Sequence, residues 1–462
     1  MRLGFLHQST VQRRELILKG PIIPTIIMLS LPTIMMGSVQ SLIPLTDGLF
    51  INNLAGTTAA SAITYCGPII NMMSALAQGL GIAGMAMIGQ HNGRGEFKKA
   101  KEISTQIVVV AVLLGIIIAP ILAILAIPVS RFVTPSISHD VFLYIALSAL
   151  VLPFQFLEFV YNAIKNANGQ PEAPFMRMVL MFAMKLIFNG IFVAGLRMGL
   201  VGAVLATLSA HLIICVWMYH EMFLKKCEDK LSLKGFRFDF EIIRDLFRIG
   251  IPSMISSVML NLGFFLINNE VQKYGAVVLM GQGIANCISS ICFLLPASFG
   301  SSITTMVSMN VGAEQGEKAK ESCYAGAVIS AISAAILIAV IVPLSSHITV
   351  LFTRQADVLE IANNSLHIYT YSVIGFGVSM TLIGAFIGLG RTVVPLILNV
   401  MRIWFLRYLF ILATEKYLGV YSVFWGNLFS NYTCMIITII LIRSIKWVSV
   451  IPQKQSVEIL KE

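Results

Sequence analysis

The segment NGRGEFKKAKE (92–102) returns in altered form as VGAEQGEKAKE (311–321), and the two KAKE endings stand 219 residues apart. Pro32 and Pro252 are offset by 220, Pro174 and Pro395 by 221. Three anchors at a nearly constant offset mean that the chain is written twice on one plan. The expected organisation is a first half over 1–222, a basic linker over 223–245, a second half over 246–442 and a tail over 443–462.

Between these anchors the sequence is apolar. Of the 462 residues 57% are hydrophobic and 12% charged, and the mean hydropathy is +0.85. Soluble domains carry roughly 25% charged residues, so a water-soluble globule is excluded. Spans are expected near 22–50, 59–89, 103–127, 140–165, 174–196, 199–222, 246–271, 276–309, 323–345, 363–389, 393–414 and 418–442. Each is long enough, at about 1.5 Å per residue, to cross about 30 Å of hydrocarbon. Six spans per half give both halves the same orientation. The expected fold is therefore an all-α polytopic membrane protein, with 12 transmembrane helices in two six-helix lobes. A pseudo-two-fold axis along the membrane normal relates the lobes, and the substrate path lies between them.

The formal net charge of +10 is topological. With the N-terminus inside, 24 of the 32 Lys and Arg fall in cytoplasmic segments. Five fall outside (Arg131, Arg197, Lys273, Arg354 and Lys416), and Lys185, Arg402 and Arg407 lie within spans. This asymmetry predicts that both termini are cytoplasmic, and it makes a nucleic-acid partner unnecessary. Residues 1–20 lack the h-region and exit site of a cleavable signal. A multi-pass protein of a bacterial or archaeal plasma membrane, acting as a monomer in the lipid bilayer, is expected. Seven cysteines without a CxxC and seven dispersed histidines suggest neither a disulfide framework nor a metal centre. The chain has no HExxH, GxSxG or GxxxxGK[ST] motif, so neither an enzyme nor a direct ATP drive is expected, and no cofactor.

Asp47 lies inside the first span. A carboxylate there costs about 2.5–3.5 kcal/mol on insertion scales, so a functional ion, proton or partner is expected. Pro44 precedes it by one turn, removes a backbone hydrogen bond and permits a bend. In span 4, Glu158 shares a helical face with Phe154, Gln155, Tyr161 and Asn162. That mixed aromatic and acidic face suits a lipophilic cation. Met176, Met178, Met181 and Met184 crowd span 5 as an adaptable or simply packed stripe.

Several stretches together resemble the multidrug and toxic compound extrusion (MATE) transporters. DGLFINNLAGTTAASA (47–62) is similar to that family's first-helix signature, and IGQHNGRGEFKKAKE (88–102) to its loop after helix 2. VYNAIKNANGQPEAPF (160–175) and IGAFIGLGRTVVPL (383–396) resemble its paired loops after helices 4 and 10, and GLVGAVLATLSA (199–210) its sixth helix. The pattern is closest to the archaeal and DinF-like branch. That resemblance implies a polar site in the N-terminal lobe, in which Asp47 and Thr207 match family positions. KLIFN (185–189) departs from it, with Lys185 where the family has Asn and Asn189 where it has Asp. One carboxylate, one amide and one amine replace a two-carboxylate site. A Lys ammonium competes with sodium, and hard cations want several oxygen ligands.

The expected coupling group is therefore Asp47, Lys185, Asn189 and Thr207. The expected substrate cavity includes Gln155, Glu158, Tyr161 and Asn162. The expected function is an antiporter exporting small amphipathic or cationic substrates for protons, with sodium the less favoured ion. The alternative is a flippase for a lipid-linked anionic precursor, favoured by Lys185, Arg402 and Arg407. In the second lobe Asn261, Asn268, Gln282 and Asn286 read as helix–helix hydrogen bonding. Glu270 sits at the outer end of span 7, and the two span-11 arginines read as structural.

Overall fold

The computed structural model describes residues 9–448, apart from 55–56, 132, 134, 226–228, 351 and 353–354. A short helix α1 (Thr10–Lys19) opens the chain. Ser9 caps it by accepting a hydrogen bond from the Gln12 amide, while the Gln12 side chain accepts from the Ser9 amide. The first lobe follows as α2 (Ile22–Leu54), α3 (Thr57–Arg94), α4 (Phe97–Arg131), α5 (Pro135–Ala149), α6 (Leu152–Ala167), α7 (Glu172–Asn189) and α8 (Gly199–Tyr219). The second contains α9 (Phe240–Gln272), α10 (Ala276–Gly312), α11 (Gly316–Val350), α12 (Ala356–Gly388), α13 (Val393–Val400), α14 (Leu409–Leu418) and α15 (Tyr421–Arg443). Among the described residues eleven helical segments are long and apolar enough to cross a membrane, and the bent pair α5–α6, taken as one span, brings the number to 12. In lipid each backbone polar group must find its partner within the chain, which helices achieve along their own length.

Span 4, expected to be continuous over 140–165, is broken. Residues 137–149 and 152–167 meet at 49°. Pro153 lacks the amide that would bond across the join, and the chain passes it in tight turns, Leu150 to Leu147 and Val151 to Ser148. Gly115 of α4 packs on the Pro153 backbone at a distance that leaves no room for a side chain. Helix α9 begins at Phe240, earlier than the boundary at 246, because Asp239 caps it by accepting from the Glu241 and Ile242 amides. Much of the proposed tail (449–462) and Cys227 lie outside the described residues.

The duplication is repeated in backbone conformation. Gly95 (φ 80°) and Glu314 (φ 60°), Gly169 (73°) and Gly390 (80°), and Gly199 (55°) and Gly419 (55°) are left-handed pairs at offsets of 219 to 221. Their hydrogen bonds repeat too. Glu96 donates to the His91 carbonyl as Gln315 does to Asn310, and Gln170 to Lys165 as Arg391 does to Phe386. The first two pairs are helix C-caps that turn the chain back across the same end of the bundle. Spans 5 and 11 each contain a wide π turn, Gly190–Gly195 and Met401–Tyr408, though about nine residues out of the repeat's register.

The lobes close against each other at the end that carries the KAKE loops, here called the basic end. Cβ atoms added at Gly93 and Gly312 would lie 2.0 Å from the Met309 carbonyl and 2.1 Å from the Gln90 carbonyl. Gln90 Nε2 donates to the Gly388 carbonyl (2.8 Å), Thr305 to the Asn166 carbonyl (3.0 Å), and the Ser30 and Ser302 hydroxyls meet at 2.8 Å. Helix α1 clasps both lobes there. Buried Arg13 pairs with Glu172 (2.7 Å), Arg14 donates to the Gly93 carbonyl, and Lys318 donates to the Leu18 and Gly20 carbonyls. The neighbour of each glycine is backbone, which cannot rotate away. Gly312→Val should therefore force the basic end apart. Spin labels on the two lobes at that end should show a longer separation than in the parent protein, and unchanged separations would contradict this closure.

Candidate functional site

Asp47, Glu158, Arg177, Lys185 and His211 of the first lobe converge on a cavity of about 670 Å³. Helix α7 supplies its basic wall through Arg177, Met181 and Lys185, on a buried four-residue ladder that continues to Asn189. Residues four apart stack on one helix face. Pro44 lies on the cavity wall one turn before Asp47, which meets this ladder from α2. Lys185 Nζ donates to Asp47 Oδ2 in a short ion pair, and Asn189 Nδ2 donates to Oδ1 at 2.9 Å. Both carboxylate oxygens thus face donors. The Asp47 side chain is 26% exposed and Lys185 9%, so the pair is reached from the cavity through its acidic member.

A second ion pair lies deeper. Glu158 Oε2 accepts from Arg177 Nη1 at 2.5 Å, and Oε1 shares a 2.5 Å hydrogen bond with His211 Nδ1 of α8. Arg177 Nε donates in turn to Asn162 Oδ1 at 3.0 Å. Glu158 is only 7% exposed, so it is neither a solvated end-of-helix residue nor a free cation site, because both its oxygens are engaged. Removing one partner of such a buried pair leaves an uncompensated charge, at a cost of about 3–5 kcal/mol.

Three of the four expected coupling residues, Asp47, Lys185 and Asn189, are therefore in direct contact. Thr207 lines the same cavity, but its hydroxyl donates back to the Ala203 carbonyl of its own helix (3.0 Å). Of the expected substrate-cavity residues, Gln155, Glu158 and Asn162 line the space, and Gln155 accepts from Ser74 at 2.9 Å. Tyr161 does not line it. Fully buried, its hydroxyl is bound to Glu221, which also pairs with Lys165 at 2.7 Å. Its helical position turns it towards the end of α8, away from the cavity. Phe159, not Phe154, supplies the aromatic wall from this helix. The methionine stripe divides, with Met178 and Met181 on the wall and Met176 exposed on the outside.

Arg177 and His211 are the functional-site residues that sequence reasoning missed. Arg177 reads as a cytoplasmic charge because it follows Pro174, yet it stands two turns before Lys185 on the same face. Among the described residues no group of three or more His, Cys, Asp or Glu could hold a metal ion. In the second lobe Asn261 reaches the first lobe's cavity, while Gln282 and Asn286 line a separate one. The side chain of Asn268 lies outside the described residues.

Fold and site together define a duplicated polytopic membrane protein whose ionised groups face an internal cavity instead of lipid. The MatE family model matches the chain twice, over residues 32–191 and 252–412, and the chain belongs to the MatE family. The two matches begin 220 and end 221 residues apart, the offset of the internal repeat. The "Probable multidrug resistance protein YoeA" of Bacillus subtilis is 22% identical over 384 residues, covering 81% of this chain and 82% of its own length. The "Multidrug export protein MepA" of Staphylococcus aureus (strain MSSA476) is 22% identical over 438 residues, covering 92% and 94%. A crystal structure of MATE in complex with MaL6 superposes with a TM-score of 0.89 at 21% identity, over 95% of this chain and 98% of that one. At that identity the superposition carries the fold.

Arg177→Ala should destabilise the protein by up to about 3–5 kcal/mol, since it leaves the buried Glu158 carboxylate held by His211 alone of its two basic partners. The double variant Arg177→Ala/Glu158→Gln should recover most of that loss. Lys185→Ala should cost less, because Asp47 reaches the cavity. Thermal unfolding in detergent tests this order, and additive losses in the double variant would contradict the pairing.

Proposed function

We propose that this protein is a secondary antiporter that exports organic cations in exchange for protons by alternating access. The observation that carries the reading is the Lys185–Asp47–Asn189 contact on the cavity wall. A cationic substrate and the Lys185 ammonium are rivals for the same carboxylate. When the substrate sits on Asp47, Lys185 yields its proton. When the substrate leaves, Lys185 takes a proton back and re-forms the pair. One proton thus exchanges for one cation, and the charge inside the low-dielectric cavity stays balanced throughout.

The names of the relatives, a multidrug resistance protein and a multidrug export protein, support export of small molecules. The phenyl ring of Phe159 and the flexible thioethers of Met178 and Met181 give the wall an adaptable apolar surface. The basic end is taken as cytoplasmic by the positive-inside rule. With that end clasped shut, this conformation is the one that releases substrate to the outside. Sodium is the less favoured ion because both oxygens of Asp47 already face nitrogen donors, and hard cations need several oxygen ligands. A flippase moving an anionic precursor through this same cavity is less favoured too, since Lys185 and Arg177 are each neutralised by a carboxylate.

Efflux of ethidium from liposomes holding the purified protein tests the reading, with pH and sodium gradients imposed separately. The pH gradient should drive efflux, and Asp47→Asn should abolish it. Lys185→Ala should shift its pH dependence or bring a sodium response. Efflux driven by sodium alone, or unchanged in both variants, would contradict the mechanism.

A further inference from the structure

The second lobe encloses its own cavity, of about 470 Å³. It shares none of the first cavity's charge balance. Two arginines from span 11 face it, Arg402 at 3% exposure and Arg407 at 6%. Its described lining contains no Asp or Glu, and among the described residues neither guanidinium has an acidic neighbour. At the far end of this lobe Asp357 and Glu360 are exposed, and the other two carboxylates are already held. Glu270 is bound by Lys273 and approached by the Tyr408 hydroxyl (3.4 Å), and Glu415 accepts from Tyr274 at 3.1 Å.

What surrounds the two arginines is neutral. Arg402 Nη1 and Nη2 reach Asn431 and Asn399 only through long hydrogen bonds, 3.4 and 3.3 Å, and its guanidinium lies over the Phe376 ring, 5.0 Å from the centroid. Arg407 lies 5.9 Å from the Phe264 ring centroid and beside Tyr369. The Nε atoms of both are buried without any hydrogen-bond partner. Buried charges in proteins are paired or ligated, and lone ones are expensive. The repeat sharpens the contrast. Span 5 presents Lys185 to Asp47, and span 11 presents its arginines to a cavity whose span-7 counterpart, Ile267, is apolar.

We propose that the second-lobe cavity binds an amphipathic organic anion, with a phosphate or carboxylate head between Arg402 and Arg407 and its apolar body against Phe264, Phe293 and Phe376. Arginine is suited to this task. Its planar fork matches the oxygens of a phosphate or carboxylate, and its weak hydration lets it sit in an aromatic cavity while it waits. Asn427, whose Nδ2 donates one hydrogen bond to the Ser372 hydroxyl, adds its second N–H as a neutral donor at the same wall. The head chemistry is shared by two sources, an anionic lipid entering from the bilayer and a soluble organic anion. The site is separate from Asp47, so it does not rest on the antiport reading.

Calorimetric titration of the purified protein in uncharged detergent with 1-naphthyl phosphate, and with uncharged 1-naphthol, tests the proposal. The phosphate should bind and raise the unfolding temperature, while 1-naphthol should bind about tenfold more weakly or not at all. The Arg402→Gln/Arg407→Gln variant should lose that preference, and Arg402→Lys/Arg407→Lys should keep part of it. Native mass spectrometry after incubation with phosphatidylglycerol or phosphatidylcholine separates the sources. Phosphatidylglycerol retained by the parent and lost in the glutamine variant assigns a lipid headgroup; naphthyl phosphate bound without lipid retention assigns a soluble anion. Absence of both naphthyl phosphate binding and phosphatidylglycerol retention in the parent would overturn the proposal. Binding of either that is indifferent to both substitution pairs would overturn it equally.

Discussion

A charge inside a bilayer must be answered, and the ion pair between Lys185 and Asp47 is the answer on which this structure turns. It fixes α7 against α2 across the mouth of the first lobe. It also determines what the cavity can accept, because any cation that takes the carboxylate must displace an ammonium. The second pair, Glu158 with Arg177, obeys the same rule with a different consequence. Its carboxylate has no oxygen to spare, since His211 holds the one that Arg177 leaves. One pair is thus partly open to the cavity, as the proposed exchange requires, and the other is closed.

The duplicated frame makes the difference between the lobes informative. Backbone conformation recurs at the loop turns, in left-handed residues beside corresponding helices, although the break between α5 and α6 has no match in the continuous α12. Side-chain charge is not kept. Asp47 has no acidic counterpart in the second lobe, while Lys185 finds near-counterparts in Arg402 and Arg407. The common frame provides a closure surface of glycines and carbonyls at the basic end, where the lobes approach so nearly that no side chain fits. Each lobe can then carry its own cavity chemistry without altering how the two halves meet.

Much of this was legible in the sequence, for physical reasons. The repeat shows because each KAKE loop must turn a helix back at a fixed place, and turns tolerate few residues. The spans show because hydrocarbon demands length and apolarity. Lys185 and Asn189 show as a site because they fall where the MATE resemblance implies polar residues on helix 5, and their spacing of four puts both on one face. Arg177 was hidden by its nearness to Pro174, which reads as the membrane boundary, although the same four-residue ladder reaches it. His211 was invisible because a lone histidine gives no sign of its partner fifty-three residues away. Tyr161 was misplaced because helical spacing gives neighbours on a face but not which way the face turns. Pro153 marked the break in span 4, yet hydropathy runs smoothly through it.

The central claim is that a cationic substrate and the Lys185 ammonium exclude each other at Asp47. Proton release on substrate binding tests it most directly, measured with tetraphenylphosphonium and purified protein in weakly buffered detergent. The account predicts release of about one proton for each cation bound at a pH where Lys185 is charged, and no release in Lys185→Ala. Binding of the cation through Asp47 with no proton released from the parent protein would contradict it.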